Sequence, residues 1–249
     1  MNFDFLDKTD EVEKLKLELN NLRPLSSFVR SQLKEYFRIG FTYSSNALEG
    51  NTLTETETKI IIEDGLTIGG KTVREHQEAI GHSDAYDFMY DCINSKSVTK
   101  EMILKLHRLF YHRIDDENAG TFRKEQVYIS GSDYVPPKAS KVESLIDNYI
   151  VDLANLRKKA NIAELISFTH MRVVDIHPFV DGNGRTARLL MNLVLLQQGY
   201  VVTSIAPILR TEYINRIRLY NKDETKPFEI LISNVLYEAL KEYLRMVKD

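Results

Sequence analysis

Tryptophan is absent from this 249-residue chain, and there is one cysteine and only six prolines. A lone cysteine, Cys92, closes no internal disulfide, so nothing calls for an oxidising compartment. It lies in the run Phe88-Met89-Tyr90-Asp91-Cys92-Ile93 and reads as a small core residue, not a nucleophile. Neither sign of charge dominates: 33 Lys and Arg against 36 Asp and Glu leave a net −3. Such a balance gives no global attraction to nucleic acid or to an anionic membrane. No apolar run approaches the ~20 residues of a bilayer-spanning helix. The longest apolar cluster, around Leu189 to Leu196, is interrupted by Asn192. The opening Met1–Asp7 lacks the basic-then-apolar order of a signal peptide, and a cytoplasmic protein is the expectation.

What is present is ordinary for a globular domain: 43% hydrophobic and 28% charged residues. The patterning is helical almost throughout. Thr54-Glu55-Thr56-Glu57 and Ser140-Lys141-Val142-Glu143 both have the hydroxyl-to-carboxylate spacing of a capping box. Thr99 and Asn161 precede further apolar-periodic runs, and Pro227 suits the first turn of a last helix. A helix is expected from about Ser26 to Leu48, ended by Gly50. Residues 1–24, charged and weakly apolar, read as an appended helix or arm, and 25–249 as one domain. One segment departs from the pattern. Between Gly120 and Pro137, two β-prone runs, Val127-Tyr128-Ile129 and Tyr134-Val135, flank Ser130-Gly131-Ser132-Asp133, which predicts a β-hairpin. A lone hairpin is marginally stable, so this one needs helices to pack on or an edge to use. The expected fold class is mainly α, a helical bundle with one β-hairpin.

Residues 176–188 read Ile-His-Pro-Phe-Val-Asp-Gly-Asn-Gly-Arg-Thr-Ala-Arg. Pro178 stops the helix before it, and a second helix starts near Asn183, with Ala187, Leu190, Met191, Val194 and Leu195 at helical spacing and Gly199 as its stop. The loop between them is glycine-rich and ends on a helix N-terminus, where unbonded N–H groups and the positive end of the dipole meet. Gly182 and Gly184 allow close approach of a ligand. Arg185 and Arg188, three apart, lie on neighbouring points of the helix. That combination suits a polyphosphate. Asp181 is a single carboxylate beside it, enough for Mg²⁺ held mainly by phosphate oxygens and water. His177 is the one histidine on the loop and the side chain best suited to take a proton from a hydroxyl near neutral pH.

The run His177-Pro178-Phe179-Val180-Asp181-Gly182-Asn183-Gly184-Arg185-Thr186-Ala187-Arg188 resembles the Fic family signature, HPFx[D/E]GNGRxxR, at every specified position. Gly120-Thr121-Phe122-Arg123 and the segment to Pro137 look like that family's flap, and the resemblance extends over roughly residues 40 to 240. It implies a protein adenylyltransferase that moves AMP from ATP to a Ser, Thr or Tyr hydroxyl and releases pyrophosphate. It further implies His177 as base, Asp181 on Mg²⁺, and the amides of Gly182, Asn183 and Gly184 as an anion hole. Arg185 and Arg188 would take the outer phosphates, and the flap would pair with a target protein. Ser45-Asn46-Ala47-Leu48-Glu49-Gly50 resembles the family's inhibitory motif, [S/T]xxxE[G/N], in the subclass where it precedes the core. A carboxylate at a helix C-terminus is disfavoured by roughly 0.3–1 kcal/mol, so Glu49 calls for a cation, and the resemblance implies Arg188.

Other residues read more plainly. His170 and Asp175 are five apart on one helix, on different faces, and so are unsuited to one metal; His107 and His112 have the same spacing. His76 and His82 read as solvated, and Tyr200, Tyr213 and Tyr220 as core. A de-AMPylase in which Glu49 orients water, a slow nucleotide-binding regulator, and transfer of UMP or phosphocholine are the alternative functions. The target protein, self-modification and homo-oligomerisation are open, and no dedicated nucleic-acid domain is expected.

Overall fold

Side chains that accept the first free N–H groups set where the helices begin. The computed structural model describes residues 5–248. Helix α1 spans Thr9–Asn21. Ser26 caps α2 (Ser27–Ala47) by accepting from Val29 N. Thr54 and Thr72 form complete capping boxes with Glu57 and Glu75, opening α3 (Glu55–Lys59) and α4 (Val73–Asp91). Thr99 caps α5 (Lys100–Tyr111). Asn161 caps α7 (Ile162–Ile176), which follows α6 (Val142–Leu156). The chain continues through α8 (Asn183–Gln197) and α9 (Arg210–Tyr220) to α10 (Lys226–Lys248). Among the described residues no helix is long and apolar enough to cross a membrane.

Helix α8 is the axis of the fold. Every residue from Arg185 to Leu195 is buried, and α2, α4, α5 and α7 all pack on it. A helix enclosed on all sides is normally apolar all round; this one carries Arg185, Arg188 and Asn192 inside. Asn192 explains its own place. Its Nδ2 donates to Arg188 O and Thr203 O, both at 3.0 Å, and its Oδ1 accepts from Thr203 N at 2.7 Å. One side chain thus satisfies the extended backbone of the segment after Gly199, which would otherwise leave buried polar groups unpaired. At the far end, α10 packs on α1, α7 and α9.

Three expectations need correction. No strand occurs among the described residues, so 120–137 is not a β-hairpin. It is a turn with two extended arms, closed by Ser132 N to Ile129 O at 3.1 Å. The arms are bridged by side chains: Gln126 Nε2 donates to Pro136 O at 3.0 Å, and Arg123 donates to Glu125 O and Pro137 O. Pro136 and Pro137 have no N–H to give a ladder. Ser140 forms no capping box, because Ala139–Lys141 is a 3₁₀ turn that runs directly into α6. His82 is fully buried, its Nδ1 3.2 Å from Thr42 Oγ1 and its ring edge-on to Phe41, because α4 turns this face onto α2. His76 is half-buried, with Nε2 accepting from Ile68 N.

Asn192→Leu preserves the volume and strands the Thr203 amide and carbonyl. The expected loss is about 2–3 kcal/mol, a fall in Tm on the order of 5–10 °C by calorimetry. An unchanged Tm would show that water replaces the asparagine.

Candidate active site

Helix α7 ends at His177, which adopts the left-handed conformation (φ 50°, ψ 59°) and turns the chain into Pro178. Its Nδ1 lies 3.2 Å from Val174 O. A carbonyl only accepts, so Nδ1 carries the hydrogen and Nε2 keeps a bare lone pair. Burial holds the imidazole below its ordinary pKa, against the Val174 bond, which acts in the other direction. The ring is therefore a neutral base at pH 7.

The loop that follows is folded by Asn183. Its Oδ1 accepts from Phe179 N and its Nδ2 donates to Phe179 O, both at 2.9 Å. That carboxamide is buried and turned onto the Phe179 backbone, so Asn183 presents its backbone N–H and not its side chain. Gly182 sits at φ 79°, where a Cβ would come within 2.3 Å of the Phe110 ring. Its own N–H goes to Asp181 Oδ1 at 2.6 Å, so of the loop's amides it is the first-turn N–H groups of α8 that lack a helical partner.

An anion already stands there. A Cβ on Gly184 would lie 2.3 Å from Glu49 Oε1, so the carboxylate rests on this glycine at the mouth of α8. The same oxygen accepts from Arg188 Nη2 at 2.7 Å. Arg188 is 1% exposed and is held by three more bonds: Nε to Ser45 Oγ at 3.0 Å, Nη2 to Ser45 O at 2.7 Å, and Nη1 to Tyr213 Oη at 3.2 Å. Ser45 and Glu49 are four apart at the end of α2 and so reach one partner. Gly50 (φ 98°) then carries the chain away. Burial raises the Glu49 pKa, but the Arg188 and Arg185 guanidiniums outweigh it and hold the carboxyl below its ordinary value.

Arg185 points to a different carboxylate. Its Nη1 lies 3.0 Å from Glu78 Oε1 and 3.5 Å from Asn46 Oδ1. Glu78 also receives Arg74 Nε at 3.2 Å, and Arg74 Nη2 reaches Asp181 Oδ2 at 2.9 Å. Asp181 is half-exposed at the rim. Among the described residues no group of three or more His, Cys, Asp or Glu gathers for a metal.

The structure thus brings His177, Asp181, Gly182, Asn183, Gly184, Arg185, Arg188, Ser45 and Glu49 into one site. Gly50 stands at its edge as the hinge of the chain. The sequence reading missed Glu78, Arg74, Asn46 and Arg123. Arg123 is buried, its Nε donates to His177 O at 2.8 Å and its N–H to Pro178 O at 2.9 Å, which ties the 120–137 arm to the loop. Arg74 and Glu78 are four apart on α4, a spacing that by itself marks only a pair on one helix face. Tyr213 was read as core and is buried, yet it also binds Arg188 and bonds His170 Nε2 at 2.7 Å. Two cavities of 970 and 780 Å³ lie elsewhere, one lined by Phe37, Phe41 and Arg245, the other by Arg30, Tyr90 and Tyr243.

Fold and site define an all-helical domain built around a glycine-rich loop at a helix N-terminus. The chain carries a Fic domain: residues 97–195 match the Fic/DOC family. It is 33% identical over 227 residues to "Protein adenylyltransferase Fic" of Drosophila willistoni, covering 90% of this chain and 45% of that protein. It is likewise 33% identical over 242 residues to "Protein adenylyltransferase fic-1" of Caenorhabditis elegans, covering 95% and 47%. A solved structure of Fic-1 from C. elegans superimposes with a TM-score of 0.87 at 27% identity, over 97% of this chain and 72% of that one. The chain spans about half the length of the curated relatives it matches.

Glu49→Gln removes the one carboxylate on a buried guanidinium. With the Glu49 side chain 36% exposed, solvent screening reduces the expected loss to about 1–2 kcal/mol at pH 7, a Tm lowered by about 2–8 °C. Because the folded pKa is depressed, this stability is present above the ordinary value of 4.5 and is lost as pH falls through the folded value. Wild type and variant should converge in acid; a constant gap across that range would assign the loss to packing.

Proposed function

We propose that this chain is a protein adenylyltransferase that transfers AMP from ATP to a protein hydroxyl and is restrained by Glu49. The observation that carries the reading is the Glu49 carboxylate lodged between Gly184 and Arg188, where an outer phosphate would be bound, beside a histidine with a bare Nε2. The names of the relatives agree with it.

His177 Nε2 takes the proton from the target hydroxyl, and that oxygen attacks the α-phosphorus of ATP with release of pyrophosphate. The amides of Asn183 and Gly184 accept the phosphate charge at the N-terminus of α8. Arg185 and Arg188 bind the outer phosphates. Asp181 fits Mg²⁺, since a single half-exposed carboxylate beside phosphate oxygens is what that ion requires; bound there, Mg²⁺ would neutralise phosphate charge. Little covalent work falls to the protein beyond the base, and catalysis is placement and charge neutralisation. While Arg188 is paired with Glu49 it is not available to the γ-phosphate, so ATP would lie in an unproductive pose. The extended arms of 120–137 expose Tyr128 and Val135, side chains suited to docking a target segment. Hydrolysis of an AMP-modified protein is the second reading: the ionised, partly exposed Glu49 is placed to orient a water.

The test is labelling with α-labelled ATP and Mg²⁺, alone and with cell lysate. Glu49→Gly should label protein at least tenfold more than wild type, and Glu49→Gly/His177→Ala not at all. No label from any form would turn the assignment to hydrolysis, tested on pre-modified protein. With His177 lowered by burial, labelling should be at full rate by pH 7 and fall only on acidification below the ordinary histidine value of 6.5. A rate still rising above pH 8 would exclude His177 as the base.

A further inference from the structure

Helix α5 places one imidazole between the two segments that the transfer reaction has to align. His107 is fully buried. On one side its Nδ1 lies 2.8 Å from Gly120 N, the first residue of the 120–137 arm. On the other its Nε2 lies 3.1 Å from Asp181 O, inside the phosphate loop. Its ring stacks on Phe179 of the same loop, centroids 3.7 Å apart and planes within 2°.

The hydrogen bonds define the protonation state. Gly120 N–H can only donate, so Nδ1 is bare. The Asp181 carbonyl can only accept, so Nε2 carries the hydrogen. One neutral tautomer satisfies both partners, and burial, pushing the pKa down to about 4, keeps the ring neutral. The surroundings leave little play. A Cβ on Gly120 would lie 2.7 Å from Arg108 Cβ, and one on Gly182 would lie 2.3 Å from the Phe110 ring and 3.4 Å from His107 Nε2. Both segments are thus pressed on α5 on either side of His107, which bonds to each.

We infer that His107 is a positioning residue that fixes the register between the target-docking arm and the phosphate loop. A simple core histidine would need its nitrogens satisfied, but not by the backbones of these two segments in particular. The bonds of Arg123 to His177 O and Pro178 O tie the arm to the base. The bonds of His107 tie the start of the arm to the far end of the loop. The attacking hydroxyl and the α-phosphorus must be held in line at about 3–3.5 Å, and the arm carries the first while the loop holds the second. This inference rests on the transfer reading above.

The two halves of the imidazole separate by substitution in the Glu49→Gly background. His107→Asn keeps an acceptor near Nδ1 for Gly120. His107→Gln keeps a donor near Nε2 for Asp181. His107→Phe keeps only the stack on Phe179. Three quantities are read: Mg-ATP affinity by calorimetry, amide exchange of peptides covering 118–137 and 177–188, and AMP transfer. His107→Gln should keep ATP affinity within about twofold while exchange in 118–137 accelerates about tenfold. His107→Asn should show the converse, with a protected arm, a faster-exchanging loop and ATP affinity weakened several-fold. His107→Phe should show both changes, and transfer should fall more than tenfold. The inference is overturned if all three variants change both segments together in proportion to Tm, as loss of packing would, or if none changes either segment. Affinity and exchange are read without any transfer, so failure of the Glu49→Gly parent to label protein would count against the transfer reading and leave these outcomes to be judged separately.

Discussion

A buried positive charge governs the layout around the glycine-rich loop 177–184. Arg188 lies on a helix enclosed on every side and is 1% exposed, and an ion taken so far from water costs several kcal/mol unless it is paired. Ser45 and Tyr213 supply neutral acceptors, which replace its water but not its counterion. Among the described residues only Glu49 forms an ion pair with it. An anion entering the loop therefore exchanges one partner of Arg188 for another. The site is neither open nor blocked; it is satisfied in advance by the protein's own carboxylate. The His170–Tyr213 bond extends the constraint to α7, since it fixes the phenol that completes the guanidinium's shell.

The second arginine follows the same rule with a different solution. Arg185, Glu78, Arg74 and Asp181 form a ring of alternating charge, with separations of 3.0, 3.2, 2.9 and 3.8 Å around it. Asn46 touches Arg185, and Asn51 donates to Glu78 Oε2 at 2.9 Å. These asparagines flank Glu49 in the sequence, so the end of α2 is fastened to the ring on both sides of the carboxylate. Glu49 is thus positioned by neutral side chains as well as by its own ion pair. The turn that carries it would keep its place after the charge is removed.

What could be read from the sequence was local. His177 to Arg188 contains its helix stop, its glycines and its helix start within twelve residues, and the chemistry follows from their order. The caps at Thr54, Thr99 and Asn161 are equally local, and all three form. Glu78, Arg123 and His107 gain meaning only when α4, α5 and the 120–137 arm come together, and no spacing along the chain announces that. His82 was misread because a polar helix face suggests solvent, and only the packing of α2 reverses it. The hairpin was misread for a subtler reason. Val127-Tyr128-Ile129 does have strand propensity, but Pro136 and Pro137 remove donors from the opposite arm, and Arg123 and Gln126 take carbonyls that a ladder would use. Propensity describes what a segment prefers, and hydrogen-bond supply decides what it can pair with.

Under the proposed reading, restraint by Glu49 is a competition between an attached ligand and a free one. ATP brings several negative charges to the α8 N-terminus and Glu49 brings one, so contact for contact the nucleotide has the advantage. The carboxylate competes because it is tethered, and a tethered group acts at an effective concentration set by how tightly its support is held. That support is α2, a 21-residue helix capped at Ser26 and packed through Leu33, Phe37 and Phe41 onto the core. The strength of the restraint is then a property of the whole helix and not of Glu49 alone. Loosening α2 at any point along its length lowers the effective concentration of the carboxylate at Arg188, and it does so without altering a residue that touches the nucleotide.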